Sequence, residues 1–395
     1  MDPITFTVTP QGPDQAVTIN LTDLLARFQS VPDQRKRRGV RYPLAVLLAI
    51  AVLAKLCGQS QVHALAGWAH ERAAELATSF GLKRARMPHP TTWTRVLGHA
   101  LTTSALDAAV QAILQPSHSS EVPPRASQQI ALDGKTMRGT IPRGRSHGVH
   151  LVTAYQVATG LPLLHVAVPT KANELVVAPD ILARLTLEGV VVTGDAMLAQ
   201  RNLSTQIVEA GGDYCWIVKE NQATLYDDLR LLFGPQPDDL PGTSPLPDDF
   251  VSVRTVEKGH GRLDERVLTI SSLLAEYQPW PYLAQAFEVV RTSYCGRRCT
   301  RDVRYGITSA PAGTLGAAQV VSSVRGHWQI ENGLHYRRDV TLDEDASLAR
   351  RGQAPQVLAT LNNLVCGLAA LRGVSNLAAL QRAMAAAVDR WLFTH

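Results

Sequence analysis

Two short runs, "QIALDGK" (129–135) and "VVVTGDA" (190–196), decide the fold. Each is a block of apolar residues closed by an aspartate, the pattern of a buried strand that ends in a polar group. Between them, "HGVHLVTAYQVATG" (147–160) and "LPLLHVAVPT" (161–170) form a hairpin that turns at Thr159 and Gly160, and "NELVVAPDILARLTLEG" (173–189) has the spacing of an amphipathic helix. A helix, "LAQRNLSTQIVEAGG" (198–212), and a strand, "DYCWIVKEN" (213–221), follow. The order β-β-β-α-β-α-β predicts an α/β fold: an RNase H-like mixed sheet covered by helices.

Around this core the periodicity changes. Residues 21–114 read as helices, among them "YPLAVLLAIAVLAKLCG" (42–58) and "PTTWTRVLGHALTTSALDAAVQAILQ" (90–115), punctuated by Ser, Thr and Pro at their starts and Gly at their ends. A helix-turn-helix-like module fits 61–97, as does any small bundle. "QPSHSSEVPPRASQQ" (115–129) reads as a linker. Past about residue 222, a Pro/Asp-rich loop (233–249) and four β-like runs, "FVSVRTVE", "RVLTISS", "FEVVRTSY" and "VRYGITS", predict an antiparallel insertion that ends near 312. Helical pattern returns at 317 and continues to the C-terminus. The expected division is an all-α N-terminal domain, 1–125, and a catalytic domain, 126–395, that holds the insertion and closes with helices.

The chain has 395 residues, with 45% hydrophobic and 18% charged residues, as in an ordinary folded protein. Its longest apolar run, Leu44 to Ala54, falls short of the roughly 20 residues that span a bilayer. The N-terminus lacks a basic and then apolar leader, so a cytoplasmic protein is expected. Five scattered cysteines make neither a disulfide framework nor a zinc set and are expected as free thiols. The net charge is +5, and all of it lies before residue 126, where 13 Lys/Arg face 8 Asp/Glu. "QRKRRGVR" (34–41), which contains Arg35, Lys36, Arg37 and Arg38, and "GLKRARMPHP" (81–90) concentrate it. Clustered cations of this kind suit a polyanion such as nucleic acid.

Three acids stand out by position. Asp133 and Asp195 end core strands, where ligands gather in open sheets, and Glu331 lies in the helical row "HWQIENGLHYRR" (327–338). Singly, the two aspartates could cap a turn or a helix, and Glu331 could pair with an arginine. Together they could hold two Mg²⁺ or Mn²⁺ ions, hard cations that take oxygen ligands and clamp both oxygens of a phosphoryl transfer. In α-helical phase His327, His335 and Arg338 share a face with Glu331. Zinc suits that array poorly, because one helix would supply ligands two turns apart. Asp343, Glu344 and Asp345 are alternative acids, but they lie outside the phase of the cationic row.

With these residues assembled, the chain resembles bacterial insertion-sequence transposases of the Asp-Asp-Glu type, specifically the ISAs-type or H-repeat-associated group. The resemblance rests on "ALDGKTMRG", "KANELVVAPDIL", "VVTGDAMLAQRN", "DYCWIVKENQATLYDDL", "EKGHGRLDERVLTIS" and "RGHWQIENGLHYRRDVTLDEDASLARRG". It implies Asp133, Asp195 and Glu331 as the metal-binding triad, nicking of element ends, and attack of the freed 3′-hydroxyl on target DNA. It also implies double-stranded DNA as partner and an oligomer, a dimer, on that DNA. Lys135 and Arg138 are expected at phosphates, with Lys219, Asn221, Asn332 and His335 near the site and Lys258, His260 and Arg262 at a hairpin tip that touches DNA. Related enzymes carry an arginine four residues before the glutamate and a lysine seven after; here those positions are His327, neutral at ordinary pH, and Arg338. A nuclease with the same acids, and a transposase-derived DNA-binding protein without catalysis, are the alternatives.

Overall fold

The computed structural model describes residues 5–10, 16–38, 40–114, 128–169, 173–234, 249–259 and 261–394. The expected linker (115–129) and the Pro/Asp-rich loop fall largely outside these residues, as does His260.

The chain opens with a hairpin that the sequence reading did not anticipate, β1 (Thr5–Val8) and β2 (Val17–Asn20), whose alternate residues Phe6, Val8, Val17 and Ile19 are buried. The Asn20 side chain then accepts from the Asp23 N–H and caps α1 (Leu21–Phe28). Five helices follow: α2 (Leu44–Leu56), α3 (Val62–Glu71), α4 (Ala73–Ser79), α5 (Pro90–His99) and α6 (Thr103–Leu114). Every residue of α2 is buried, so its all-round apolar sequence makes it the axis of the bundle.

The core strands come next. β3 (Gln129–Met137), β4 (Val149–Gln156) and β5 (Leu161–Ala167) form an antiparallel meander, and β6 (Val191–Gly194) and β7 (Asp213–Val218) add in parallel on the other side of β3. Between them lie the short α7 (Ala178–Ala183), one turn of 3₁₀ helix at Glu174–Val176 where a longer helix was expected, and α8 (Arg201–Glu209). After α9 (Ala223–Phe233), the strands β8 (Val251–Gly259), β9 (Arg262–Ser271), β10 (Gln285–Cys295) and β11 (Arg298–Thr308) form the expected antiparallel unit. It is not a separate layer: β11 pairs with β7, Tyr305 opposite Val218 through Thr308 opposite Cys215, and the result is one nine-stranded mixed sheet, β5-β4-β3-β6-β7-β11-β10-β9-β8.

One face of the sheet packs Ile130, Leu132, Val192, Tyr214 and Trp216 with α7 and α8. On the other, α10 (Ala317–His327) lies over β3, β6 and β7, and α11 (Ala354–Leu371) contacts β5. With α12 (Leu377–Thr394), α11 enters the core of the N-terminal helices, in one cluster that runs from Phe6 to Val388. The hydrophobic core therefore crosses the expected boundary at residue 125. Helix α11 is long and apolar enough to cross a bilayer, but 83% of it is buried inside the protein, as befits a core helix.

Candidate active site

The parallel pairing of β3 with β6 ends at Leu132 opposite Gly194, so the next residues on the two strands, Asp133 and Asp195, stand side by side at the edge of the sheet. Asp195 is exposed, and its Oδ1 accepts the N–H groups of Met197 (3.0 Å) and Leu198 (3.3 Å), the cap that its sequence position suggested. Asn221, just past β7, donates to the Ala196 carbonyl at 2.7 Å and holds this turn in place.

Glu331 reaches the same edge from the continuation of α10. There the backbone widens into π-helical turns, Glu331–His335 and Arg337–Thr341; the Tyr336 N–H bonds the Glu331 carbonyl, five residues back. Such turns collect at functional sites. Gly333 makes the approach possible, because a Cβ there would lie 2.4 Å from the Tyr155 hydroxyl on β4. The His335 Nδ1 then sits 3.3 Å from Asp133 Oδ2 and 3.1 Å from Glu331 Oε2. Ligand atoms of Asp133, Glu331 and His335 all lie within 4.8 Å of one another.

The electrostatics mark this as a place where negative charge lacks compensation. Burial, and then the neighbouring Glu174, Asp195 and Glu331 carboxylates, push Asp133 up to about 7. Burial lowers His335 to about 3, helped by the nearby Arg338 and Lys135 charges. His327 falls to about 4 for the same first reason, against the pull of Asp195, and its Nδ1 lies 3.3 Å from the Thr193 hydroxyl. Both imidazoles are therefore neutral at pH 7, and His327 does not supply the positive charge that related enzymes place there. The acids line a groove of about 1050 Å³, together with Lys219, Asn221, Tyr226, Arg304, Tyr305, His327 and Trp328. Trp328 is exposed, and the Arg304 guanidinium stacks over its ring at 5.4 Å.

Three of the residues expected at phosphates, near the site or on the Glu331 face are internal. Arg338 is fully buried against Glu344, because π-helical winding rotates it off the Glu331 face that α-helical phase predicted. Lys135 is 8% exposed and paired with Asp339 (2.6 Å) and Asp345 (3.1 Å). His335 is buried against the acids rather than turned to solvent. Of the others, Arg138, Lys219, Asn221 and Asn332 remain exposed, as do Lys258 and Arg262 at the β8–β9 tip, where Arg262 pairs with Asp264 at 3.1 Å. Arg35 is held by Asp33 and the Tyr42 carbonyl, while Lys36, Arg37 and Arg38 are exposed. The Tyr42 hydroxyl donates to the Arg86 carbonyl at 3.0 Å and draws the two basic segments together.

The sequence reading missed Glu174 and His150. The two pair at 2.9 Å, and a Cβ at Gly134 would lie 1.9 Å from Glu174 Oε1, so the glycine after Asp133 admits a fourth carboxylate to the edge of the site. Glu174 lies in "NELVVAPDILARLTLEG", whose spacing predicts a helix there, whereas the chain forms a 3₁₀ turn over Glu174–Val176. All five cysteines are free.

The chain matches the transposase DDE domain over residues 124–366 and the DDE_Tnp_1-associated domain over 25–113. It is 27% identical over 358 residues to YncI of Escherichia coli O157:H7, covering 89% of this chain and 88% of that protein. It is 24% identical over 392 residues to the H repeat-associated YhhI of Escherichia coli strain K12, covering 94% and 97%. Both relatives bear transposase names. Among solved structures it is similar to the piggyBac transposase in a synaptic complex with hairpin DNA, at 9% identity and a TM-score of 0.46, over 95% of this chain and 78% of that one.

Proposed function

We propose that this chain, which belongs to the transposase DDE-domain family, is a metal-dependent DNA transposase that nicks the ends of its element and joins the freed 3′-hydroxyl to target DNA. One observation carries the reading: the β3–β6 register sets Asp133 beside Asp195, and the π-helical turn brings Glu331 and His335 to the same point. The meander β5-β4-β3 with parallel β6 and β7 has the strand order of an RNase H-like core, which supports residues 126–395 as the catalytic unit. The basic helical region before it supports a role for 1–125 in holding double-stranded DNA, with a dimer as the working form and the cytoplasm as its place.

The residues fit divalent cations. Three ligand atoms converge within 4.8 Å, and Asp133 holds its proton up to about pH 7 when no cation offsets its neighbours. Asp133, Asp195 and Glu331 would hold Mg²⁺ or Mn²⁺, two ions in all, with the neutral His335 as a further donor. When bound, the cations supply positive charge at the phosphate and lower the pKa of the attacking hydroxyl. Asn221 keeps the Asp195 turn in register; the exposed Lys219 and the half-buried Arg304 line the groove and are proposed to meet backbone phosphates there, with the exposed Arg138, past the end of β3, as a further phosphate contact.

The test incubates the protein with Mg²⁺, linear DNA bearing candidate ends and a target plasmid. Joined products are expected; cuts alone indicate a nuclease, and shifted but intact DNA a non-catalytic binder. Unchanged cleavage by Asp195→Asn would sink the metal assignment.

A further inference from the structure

A second group of charges lies behind the acids, and this one is buried. Arg338 grips Glu344 with both ends of its guanidinium: Nε lies 3.1 and 2.9 Å from the two carboxylate oxygens, and a terminal nitrogen lies 2.7 Å from Oε1. Lys135, two residues beyond Asp133 on β3, reaches Glu344 at 3.7 Å as well as Asp339 and Asp345. The other Glu344 oxygen accepts from the Asn362 amide of α11 at 2.9 Å, and the Asn362 carbonyl oxygen accepts from Lys55 of α2 at 2.8 Å. Asp343 adopts a left-handed conformation, φ 50°, which turns the chain sharply just before Glu344, and Gln61 at the start of α3 donates to the Asp343 carbonyl at 3.0 Å.

These contacts touch both elements that carry the site. An α-helical period would put Arg338 in phase with Glu331; instead it is fully buried on Glu344, in the same π-helical stretch that sets Glu331 and His335 beside Asp133. Lys135 ties β3 to the same segment, binding Asp339 and Asp345 directly and lying within ion-pair reach of Glu344 at 3.7 Å. Glu344 is thus the shared anchor of two elements whose relative placement sets the spacing of the metal-binding groups.

We propose that Glu344 is a positioning residue: by clamping Arg338 and Lys135 it selects the π-helical register and sets Glu331 and His335 against Asp133, and through Asn362 and Lys55 it ties that geometry to the N-terminal bundle. The inference rests on the metal-site reading above. Partners that orient ligating groups typically contribute 10- to 100-fold in metal affinity.

The experiment titrates Mn²⁺ into the full chain and follows bound ion by electron paramagnetic resonance, with nicking kinetics on end-bearing DNA beside it. Glu344→Gln is expected to weaken Mn²⁺ binding roughly 10- to 100-fold and to lower kcat with the KM for DNA unchanged. Because Glu344→Gln leaves Arg338 buried without its partner, Arg338→Met/Glu344→Leu is measured too. That variant removes both charges at similar volume, is expected to fold, and is expected to lose Mn²⁺ affinity to the same degree. Native Mn²⁺ affinity and native nicking in the folded double variant would overturn the proposal. Asp195→Asn run in parallel separates the two readings: if it loses metal and activity while the Glu344 variants keep both, only the positioning role falls; if it also keeps both, the metal site itself is misassigned.

Discussion

Glu331 and Glu344 stand thirteen positions apart on one stretch of chain and meet opposite surroundings. Glu331 is exposed in the groove, and among the described residues neither it nor Asp133 or Asp195 forms an ion pair with a lysine or arginine; Glu331 and Asp133 share a neutral histidine, His335. Glu344 is 2% exposed and gripped by Arg338 and Lys135. The effect on ionisation follows. Burial and neighbouring carboxylates drive Asp133 up to about 7, whereas burial of Glu344 is overcome by Arg338 and the Asn362 amide, which hold it down to about 2. Acids whose charge the fold has neutralised maintain the structure; acids left uncompensated are available to a cation from outside.

The contrast breaks most sharply at Asp133. Asp133→Asn is expected to lower nicking on the order of 10⁴-fold, about 5 kcal/mol of transition-state stabilisation. The same variant, freed of metal, is expected to melt higher than the native chain at pH 8. The sign follows from linkage: the folded-state pKa of about 7 lies above the unfolded value, so the native state binds more protons between roughly pH 4 and 7, and stability is lost as pH rises through that window. Calorimetry with chelator checks it; a lower melting point at pH 8 would mean that Asp133 is compensated after all.

Glu344→Gln tests the other side. Removal of one partner of a buried pair leaves a charge without relief, so a loss of about 3–4 kcal/mol in denaturant unfolding is expected, against little or none for Glu331→Gln. Equal losses at the two positions would erase the distinction.

The two groups were not equally legible in the sequence. Asp195 could be found because a buried strand that ends in an acid is a local pattern; β3 runs on to Met137 rather than ending at Asp133, but its parallel pairing with β6 stops at Leu132, which brings the two acids together all the same. Glu331 was legible from its helical row, but Arg338 was misplaced because an α-helical period was applied across π-helical turns, which no local signal announces. Lys135 reads as an exposed cation after a strand; its partner Asp345 is 210 residues away. Similarly, the merging of α11 and α12 with the N-terminal helices depends on contacts between the two ends of the chain, and the β1–β2 hairpin consists of strands of only four residues.

His327 sharpens the comparison, because a cation at that position would supply the compensation that the acids lack. Burial lowers it to about 4, below its unfolded value, so the stability it contributes is present above about pH 6.5 and is lost as pH falls toward 4. The expected loss over that interval is about 3 kcal/mol, and His327→Asn should remove it. Melting temperatures of both proteins across pH 4–7 decide the matter: parallel curves would indicate a histidine that titrates normally and carries charge into the groove in mild acid.

The smallest effect belongs to the basic face, where the comparison recurs between neighbours. Arg35 is bound to Asp33 and to the Tyr42 carbonyl, whereas Lys36, Arg37 and Arg38 are exposed beside the segment that Tyr42 ties in through Arg86. Each exposed cation that meets a DNA phosphate releases counterions and steepens the salt dependence of binding by about 0.9 in the log–log slope. Replacing Lys36, Arg37 and Arg38 together with alanine should therefore flatten that slope by about 2–3 and weaken binding near physiological salt by roughly tenfold, with Mn²⁺ affinity unchanged. Arg35→Ala should leave the slope nearly as it is and act instead on stability, because its charge is already matched within the fold. Fluorescence anisotropy on duplex DNA over a salt series measures both; an equal flattening by Arg35→Ala would show that an internal partner does not remove a cation from the DNA-facing surface, and the rule drawn from Glu331 and Glu344 would then hold for acids alone.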